Sequence, residues 1–145
     1  MLKILVDSSV WSEALRRKGK SLDTKNIFLN EIIDNNDKII ITGIIMQEIL
    51  TGIKSDILFN NIKNILQDFA YIEPFKNDYI DAANLKNKLR TKGISAGPID
   101  CLIASICMNN NYFLASYDND FVHIANHTDL ELIDFEKYKK MKFHL

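Results

Sequence analysis

Short β-like runs alternate with stretches of helical period along the whole chain. Residues 2–6, 38–42, a short segment near Tyr71 and Ile72, 112–116 and 130–133 read as strands. The segments between them carry apolar residues at the three- and four-residue spacing of a helix that buries one face. They cover residues 7–17, 24–34, 44–52, 55–69 and 78–92. The last of these places Ala82, Leu85 and Leu89 on one face and stops at Gly93, a common helix terminator. A further helix opens at Gly97-Pro98, with proline in a favoured first-turn position. It carries Ile99, Leu102, Ile103, Ile106 and Cys107 as a buried stripe. Strand and helix in regular alternation predict a three-layer α/β/α domain with a central parallel sheet.

Length and composition sharpen this expectation. A chain of 145 residues fits one domain, 1–145, large enough to bury roughly 70% of the surface its unfolded form exposes. With 2 prolines and 5 glycines there is little material for linkers, so order is expected everywhere but the tail. The longest apolar stretch, 39–46, is interrupted by Thr42 and Gly43 and falls far short of the roughly 20 residues that span a bilayer. The first residues enter a strand without the features of a secretory signal. The expectation is a cytoplasmic protein with no membrane partner. Cys101 and Cys107 share one helical segment but point roughly 240° apart at 100° per residue, so reduced core thiols are expected. A formal net charge of −1 supplies no global positive field, and any nucleic-acid partner would be held by local basic patches and bound metal.

Four acids fall where such a sheet would gather them. Asp7 closes the apolar run of the first strand, and Asp118 follows the fourth, at the sheet edge where ligands bind in open α/β folds. Glu48 and Asp100 lie inside strongly apolar helical segments, where a charge is costly to bury unless something neutralises it. Each acid also has a plainer reading. Asp7 could cap a helix, although Ser8 and Ser9 are equally placed to do so. Asp100 in a first helical turn is favoured by the macrodipole, and Asp118-Asn119-Asp120 is good turn material. Glu48 is harder to dismiss, because helical spacing puts it on the side of Ile44 and Ile45 and next to Ile49. Together the four would repel one another unless a hard cation sat among them. Carboxylates without histidine or thiolate suit Mg²⁺ or Mn²⁺ better than zinc.

The segments Ile4-Leu5-Val6-Asp7-Ser8-Ser9-Val10, Met46-Gln47-Glu48-Ile49-Leu50-Thr51-Gly52, Pro98-Ile99-Asp100-Cys101-Leu102-Ile103-Ala104 and Ser116-Tyr117-Asp118-Asn119-Asp120-Phe121 resemble, in order and spacing, the motifs of PIN domains, particularly the single-domain VapC-type toxins. The resemblance covers nearly the whole chain. It implies that Asp7, Glu48, Asp100 and Asp118 form a catalytic, metal-holding quartet, with Ser9 and Ser116 as supporting hydroxyls and Asp120 as a peripheral acid. Serine at 116 replaces the family's usual threonine and keeps the hydroxyl. The implied activity is Mg²⁺-dependent hydrolysis of RNA phosphodiester bonds by water. The implied partners are an RNA substrate, a cognate antitoxin and a second copy of the chain in a dimer. Four carboxylates leave open whether one ion acts or two.

Other features carry less. Arg16, Arg17, Lys18 and Lys20 form a basic cluster that either contacts RNA phosphates or answers a helix dipole. The terminal Lys137, Lys139, Lys140 and Lys142 read as a solvated charge run. His123 and His127 stand four apart without the glutamate of a zinc-protease motif and read as solvated or capping. Trp11 is expected in the core, with an exposed groove for a partner helix as the alternative. Two further functional classes compete with a nuclease. A phosphoacceptor domain would need a second Asp at position 9 or a lysine after a late strand, where this chain has Ser9 and Ser116-Tyr117-Asp118. A silent binding module would not need all four acids. A PIN-type RNA-processing nuclease without a toxin role shares every feature of the first reading.

Overall fold

The computed structural model describes residues 1–15 and 27–143. Its sheet has four strands, β1 (Lys3–Val6), β2 (Lys38–Thr42), β3 (Ala70–Ile72) and β4 (Phe113–Ala115), in the order β3-β2-β1-β4 with every neighbouring pair parallel. The two central strands, Lys-Ile-Leu-Val and Lys-Ile-Ile-Ile-Thr, are buried from their second residue onward, as strands covered on both faces must be. The outer strands are short and less buried. The chain builds outward from β1 through β2 to β3, then crosses back to lay β4 on the other side of β1. This reversal opens a crevice beyond the carboxyl ends of β1 and β4.

Helices α1 (Ser8–Leu15) and α2 (Ile27–Asp34) join β1 to β2, and α3 (Gly43–Leu50) and α4 (Asp56–Gln67) join β2 to β3. The return to β4 runs through α5 (Lys76–Thr91) and α6 (Pro98–Asn110). Helix α5 starts two residues ahead of the expected position because Asp78 reaches back to accept the Phe75 N–H at 2.7 Å. It ends at Gly93, whose φ of +77° suits glycine. Seven consecutive residues of α6, Cys101 to Cys107, are buried, so the helix is wrapped by its neighbours. Ile99, expected in that stripe, stands 45% exposed instead. Both cysteines are buried free thiols. Trp11 is wholly buried and meets Phe69 edge-on, ring centroids 5.0 Å apart, which excludes it from an exposed partner groove.

Two expectations fail at the carboxyl end. Residues 130–133 do not form a strand. They make a single parallel bridge, Leu114 to Leu132, because Asp134 caps a helix immediately afterwards, its carboxylate accepting the Lys137 N–H at 2.8 Å. Helix α7 (Asp120–Ala125) precedes this segment, and α8 (Phe135–Phe143) follows it. The lysines of α8 are not a free charge run. Lys142 pairs with Asp37 at 3.1 Å, Lys139 pairs with Glu136 at 2.9 Å, and Lys137 donates to the Leu132 carbonyl. Tyr138 is wholly buried and donates to Asp37 at 2.6 Å, while Phe28 stacks on Phe135. The tail is therefore docked on α2 and the start of β2. No helix among the described residues is long and apolar enough to cross a membrane.

Candidate active site

Strand β1 delivers Asp7 to the crevice, and the backbone there is held by the Asp7 N–H donating to the Ala115 carbonyl at 2.9 Å. The Asp7 carbonyl accepts the Val10 and Trp11 N–H groups, so its backbone, not its side chain, closes the first turn of α1. The carboxylate turns elsewhere. Its Oδ2 accepts the Ser116 hydroxyl at 2.8 Å and the Ser9 hydroxyl at 3.0 Å. Both hydroxyls go to one oxygen, and Oδ1 accepts no hydrogen bond from the described residues. Asp7 is only 6% exposed, so the two hydroxyls supply the partners a buried carboxylate requires.

The same two serines tie the loop after β4 to the loop after β1. Ser9 Oγ accepts the Tyr117 N–H and Ser116 Oγ accepts the Asp118 N–H, each at 3.0 Å. The hydroxyl oxygens themselves lie 3.3 Å apart. Asp118 Oδ1 in turn accepts the Asp120 N–H at 2.9 Å, the turn geometry foreseen for this tripeptide. Asp100 enters from the first turn of α6, where Gly97 is the cap and Pro98 the first helical residue.

Asp100, Asp118 and Asp120 each offer an oxygen within 4.8 Å of the other two. Asp120, expected at the periphery, thus stands inside the tightest acidic group, while Asp7 and Glu48 stand beside it. All five belong to one electrostatic unit. Burial first, then the charges of Asp118, Asp7, Asp120 and Glu48, push the Asp100 carboxyl up to about 6. None of the five acids forms an ion pair with a described residue.

Glu48 differs from expectation in exposure. Ile45 and Ile49 set the buried side of α3. Glu48 lies 60° from the first and 100° from the second at helical geometry, which puts it on the rim, exposed to solvent. There it accepts the Ser8 hydroxyl at 3.1 Å, a link the sequence pattern did not reveal because Ser8 reads as an ordinary capping residue. His123 and His127 are exposed, and among the described residues neither joins a group able to hold a metal. Arg16, Arg17, Lys18 and Lys20 lie outside the described residues.

These donors fit a hard divalent cation on their own chemistry: three convergent carboxylates, oxygen only, with a fourth, Asp7, hydrogen-bonded through one oxygen alone. A parallel sheet covered by helices, with a carboxylate-lined crevice at its switch point, places the chain in the class of open α/β domains. The PIN domain family model matches residues 4–127, and the chain belongs to the PIN domain family. Similar folds occur in VapBC2 from Rickettsia felis, solved bound to a promoter DNA fragment, with 20% identity, TM-score 0.74, and 91% of this chain and 98% of that one covered. VapBC-1 from nontypeable Haemophilus influenzae gives 17% identity and TM-score 0.74 over 94% and 100% of the two chains. The sarcin-ricin loop cleaving toxin VapC20 of Mycobacterium tuberculosis gives 13% identity and TM-score 0.58 over 82% and 92%. No curated protein matches the chain significantly.

Proposed function

We propose that this single domain is a Mg²⁺-dependent endoribonuclease, the toxin of a toxin-antitoxin pair, with Mn²⁺ as an alternative ion. The observation that carries the reading is the carboxylate group of Asp100, Asp118 and Asp120 beside Asp7 at the switch-point crevice, with no ion pair to a described residue. Asp7, Glu48, Asp100 and Asp118 are the catalytic, metal-holding residues, and Asp120 joins them. A bound divalent ion would lower the pKa of water and offset charge on the phosphoryl oxygens. The chain's own residues do the rest. Ser9 and Ser116 fix the Asp7 carboxylate through Oδ2, which leaves Oδ1 without a hydrogen bond from the described residues. Ser8 restrains Glu48 on the rim. The loop from Ser116 to Asp120 is braced by backbone N–H bonds to the same hydroxyls, so among the described residues hydroxyls and backbone, not cationic side chains, hold the acids in position.

The likeness to VapBC structures supports an antitoxin partner, and the family resemblance supports a homodimer. Trp11, being buried, does not contact either. Sequencing the RNA ends left by purified protein with Mg²⁺ tests the reaction: 5′-phosphate ends that vanish with EDTA are expected, and ends of any other chemistry refute it. Co-purification from the native host, read by mass spectrometry, is expected to recover a small stoichiometric partner. If cleavage occurs but neither a partner nor growth arrest on induction is found, the chain is an RNA-processing PIN nuclease.

A further inference from the structure

Between Asp81 and Asp100 the chain carries four cations, Lys86, Lys88, Arg90 and Lys92, and no acid, although the protein as a whole is slightly negative. Helix α5 sorts them onto two sides. Lys86 and Arg90, one turn apart, line a cavity of about 240 Å³ with Gly93, Ile94 and Ser95. Lys86 also borders a second cavity, of about 390 Å³, with Tyr79, Pro98, Ile99 and Leu102. Lys88 and Lys92 face a different hollow, toward His127 and Asp129.

Of the two cavities that share Lys86, the larger reaches the first turn of α6, the turn that carries Asp100. Its lining includes Pro98 and Ile99, the residues just before Asp100. Gly97, the residue before Pro98, is close to the acid: a Cβ there would lie 3.8 Å from Asp100 Oδ2. Lys86 donates to the Ala96 carbonyl, a neutral acceptor that holds the side chain over the loop without cancelling its charge. Arg90 is exposed and forms no ion pair with a described residue. Tyr79, 51% exposed, and Ile99 offer flat and apolar surface beside Lys86, the residue common to both cavities. Cations next to such surface match a single nucleic-acid strand, whose phosphates want charge and whose bases want a face to stack on.

We propose that this α5–α6 groove receives a single RNA strand, with Lys86 and Arg90 on its phosphates and Tyr79 under a base, and feeds it to the carboxylates. The proposal rests on the nuclease reading for the identity of the strand. Fluorescence anisotropy with a labelled random-sequence 20-nucleotide RNA in EDTA, across a salt series, tests it. Arg90→Gln should weaken binding about fivefold at low salt and flatten the log-log salt slope by roughly 0.7, the value for one lost phosphate contact on a single strand. Arg90→Lys should restore most of both, and Tyr79→Ala should weaken binding without changing the slope.

Lys88→Gln and Lys92→Gln make the same charge change on the other side of α5 and should do neither. Equal losses in the three charge-removing variants would reveal diffuse attraction and overturn the groove, as would unchanged binding in Arg90→Gln or tighter binding to duplex DNA. If Arg90→Gln changes the protein's mass in solution while leaving RNA binding intact, a second copy of the chain covers this face and the proposal falls. If the variants show the groove-specific losses yet the wild type cuts no RNA with Mg²⁺, the nuclease reading is refuted and the groove stands.

Discussion

Carboxylates sit at both ends of this sheet, and the protein treats them in opposite ways. At the amino ends of the strands, Asp37 accepts the Leu2 N–H at 2.8 Å, the Tyr138 hydroxyl at 2.6 Å and the Lys142 ammonium at 3.1 Å. Burial alone would raise its pKa, but those bonds and the Lys142 charge outweigh burial and hold it below the usual carboxylate range. At the carboxyl ends, Asp100 has acids for neighbours, and burial and repulsion raise it to about 6. The first acid fastens α8 to the core. The second is shifted by burial and by its acidic neighbours, a perturbation that gathers at functional sites more often than in structural ion pairs.

The widest separation between the two ends should appear in activity. Asp100→Asn and Asp7→Asn are expected to lower RNA cleavage by roughly 100-fold or more, the several kcal/mol that a correctly held metal contributes, while both proteins stay folded. Asp37→Asn should leave turnover per folded molecule unchanged. Full activity in either of the first two variants, measured at controlled Mg²⁺, would remove those acids from the site.

Stability should show the reverse order. Asp37→Asn leaves Lys142 without its counter-ion and costs about 2–3 kcal/mol, less than the roughly 3–5 kcal/mol for breaking a fully buried pair because the Lys142 side chain keeps 24% of its surface in solvent. Denaturant melts are the check. A loss under about 0.5 kcal/mol, within the scatter of ordinary surface substitutions, would mean that α8 is held by Phe135 and Tyr138 packing alone.

The two pKa shifts of opposite sign bracket a pH optimum for the metal-free protein. Asp100, raised in the folded state, binds a proton more tightly when native, so stability rises as pH falls through about 6 and levels off below the unfolded value near 4. Asp37, lowered in the folded state, contributes stability above its unfolded value and loses it as pH falls further. In EDTA the melting temperature should therefore peak between about 4 and 6. Asp100→Asn should remove the upper limb and melt higher than wild type near pH 7, by about 1 kcal/mol or 2–4 °C once solvent screening is allowed for. It should also gain less from Mg²⁺, which stabilises by mass action on the folded state. Should Asp100→Asn melt lower in EDTA and respond normally to Mg²⁺, Asp100 is a helix-terminus residue only.

How far the sequence disclosed these two ends differs for a physical reason. The carboxyl-end acids are announced locally: Asp7 by the strand it closes, Asp100 by Gly97-Pro98, Asp118 by the turn it starts. The central strands and α6 are equally plain, being long apolar runs. Asp37 is silent, because its partners Tyr138 and Lys142 are about a hundred residues away and sit in a segment whose composition imitates a solvated tail. Residues 130–133 mislead for the same kind of reason. Leu130 and Ile133 are buried as strand residues would be, yet the nearby cap at Asp134 limits pairing to one bridge. Glu48 and Asp120 show the limit of periodicity: a residue 60° to 100° off a buried stripe can face core or rim, and a turn residue can point anywhere until its loop is pinned.

The smallest expected effect concerns that pin. Ser116→Ala removes the shorter of the two hydroxyl bonds to Asp7 Oδ2 and the acceptor for the Asp118 N–H, but leaves Ser9 bonded to the same oxygen and to the Tyr117 N–H. One hydrogen bond to a charged group is worth roughly 1.5–3 kcal/mol, and the remaining serine should recover part of it, so cleavage is expected to fall by roughly tenfold with little change in melting temperature. Ser116→Thr, which keeps the hydroxyl, should restore it. Ser9→Ala combined with Ser116→Ala should then lose more than the product of the two single losses, because each serine covers for the other at one oxygen. Strict multiplication of the two losses would show that the hydroxyls act on separate things, Ser9 on the loop and Ser116 on Asp7.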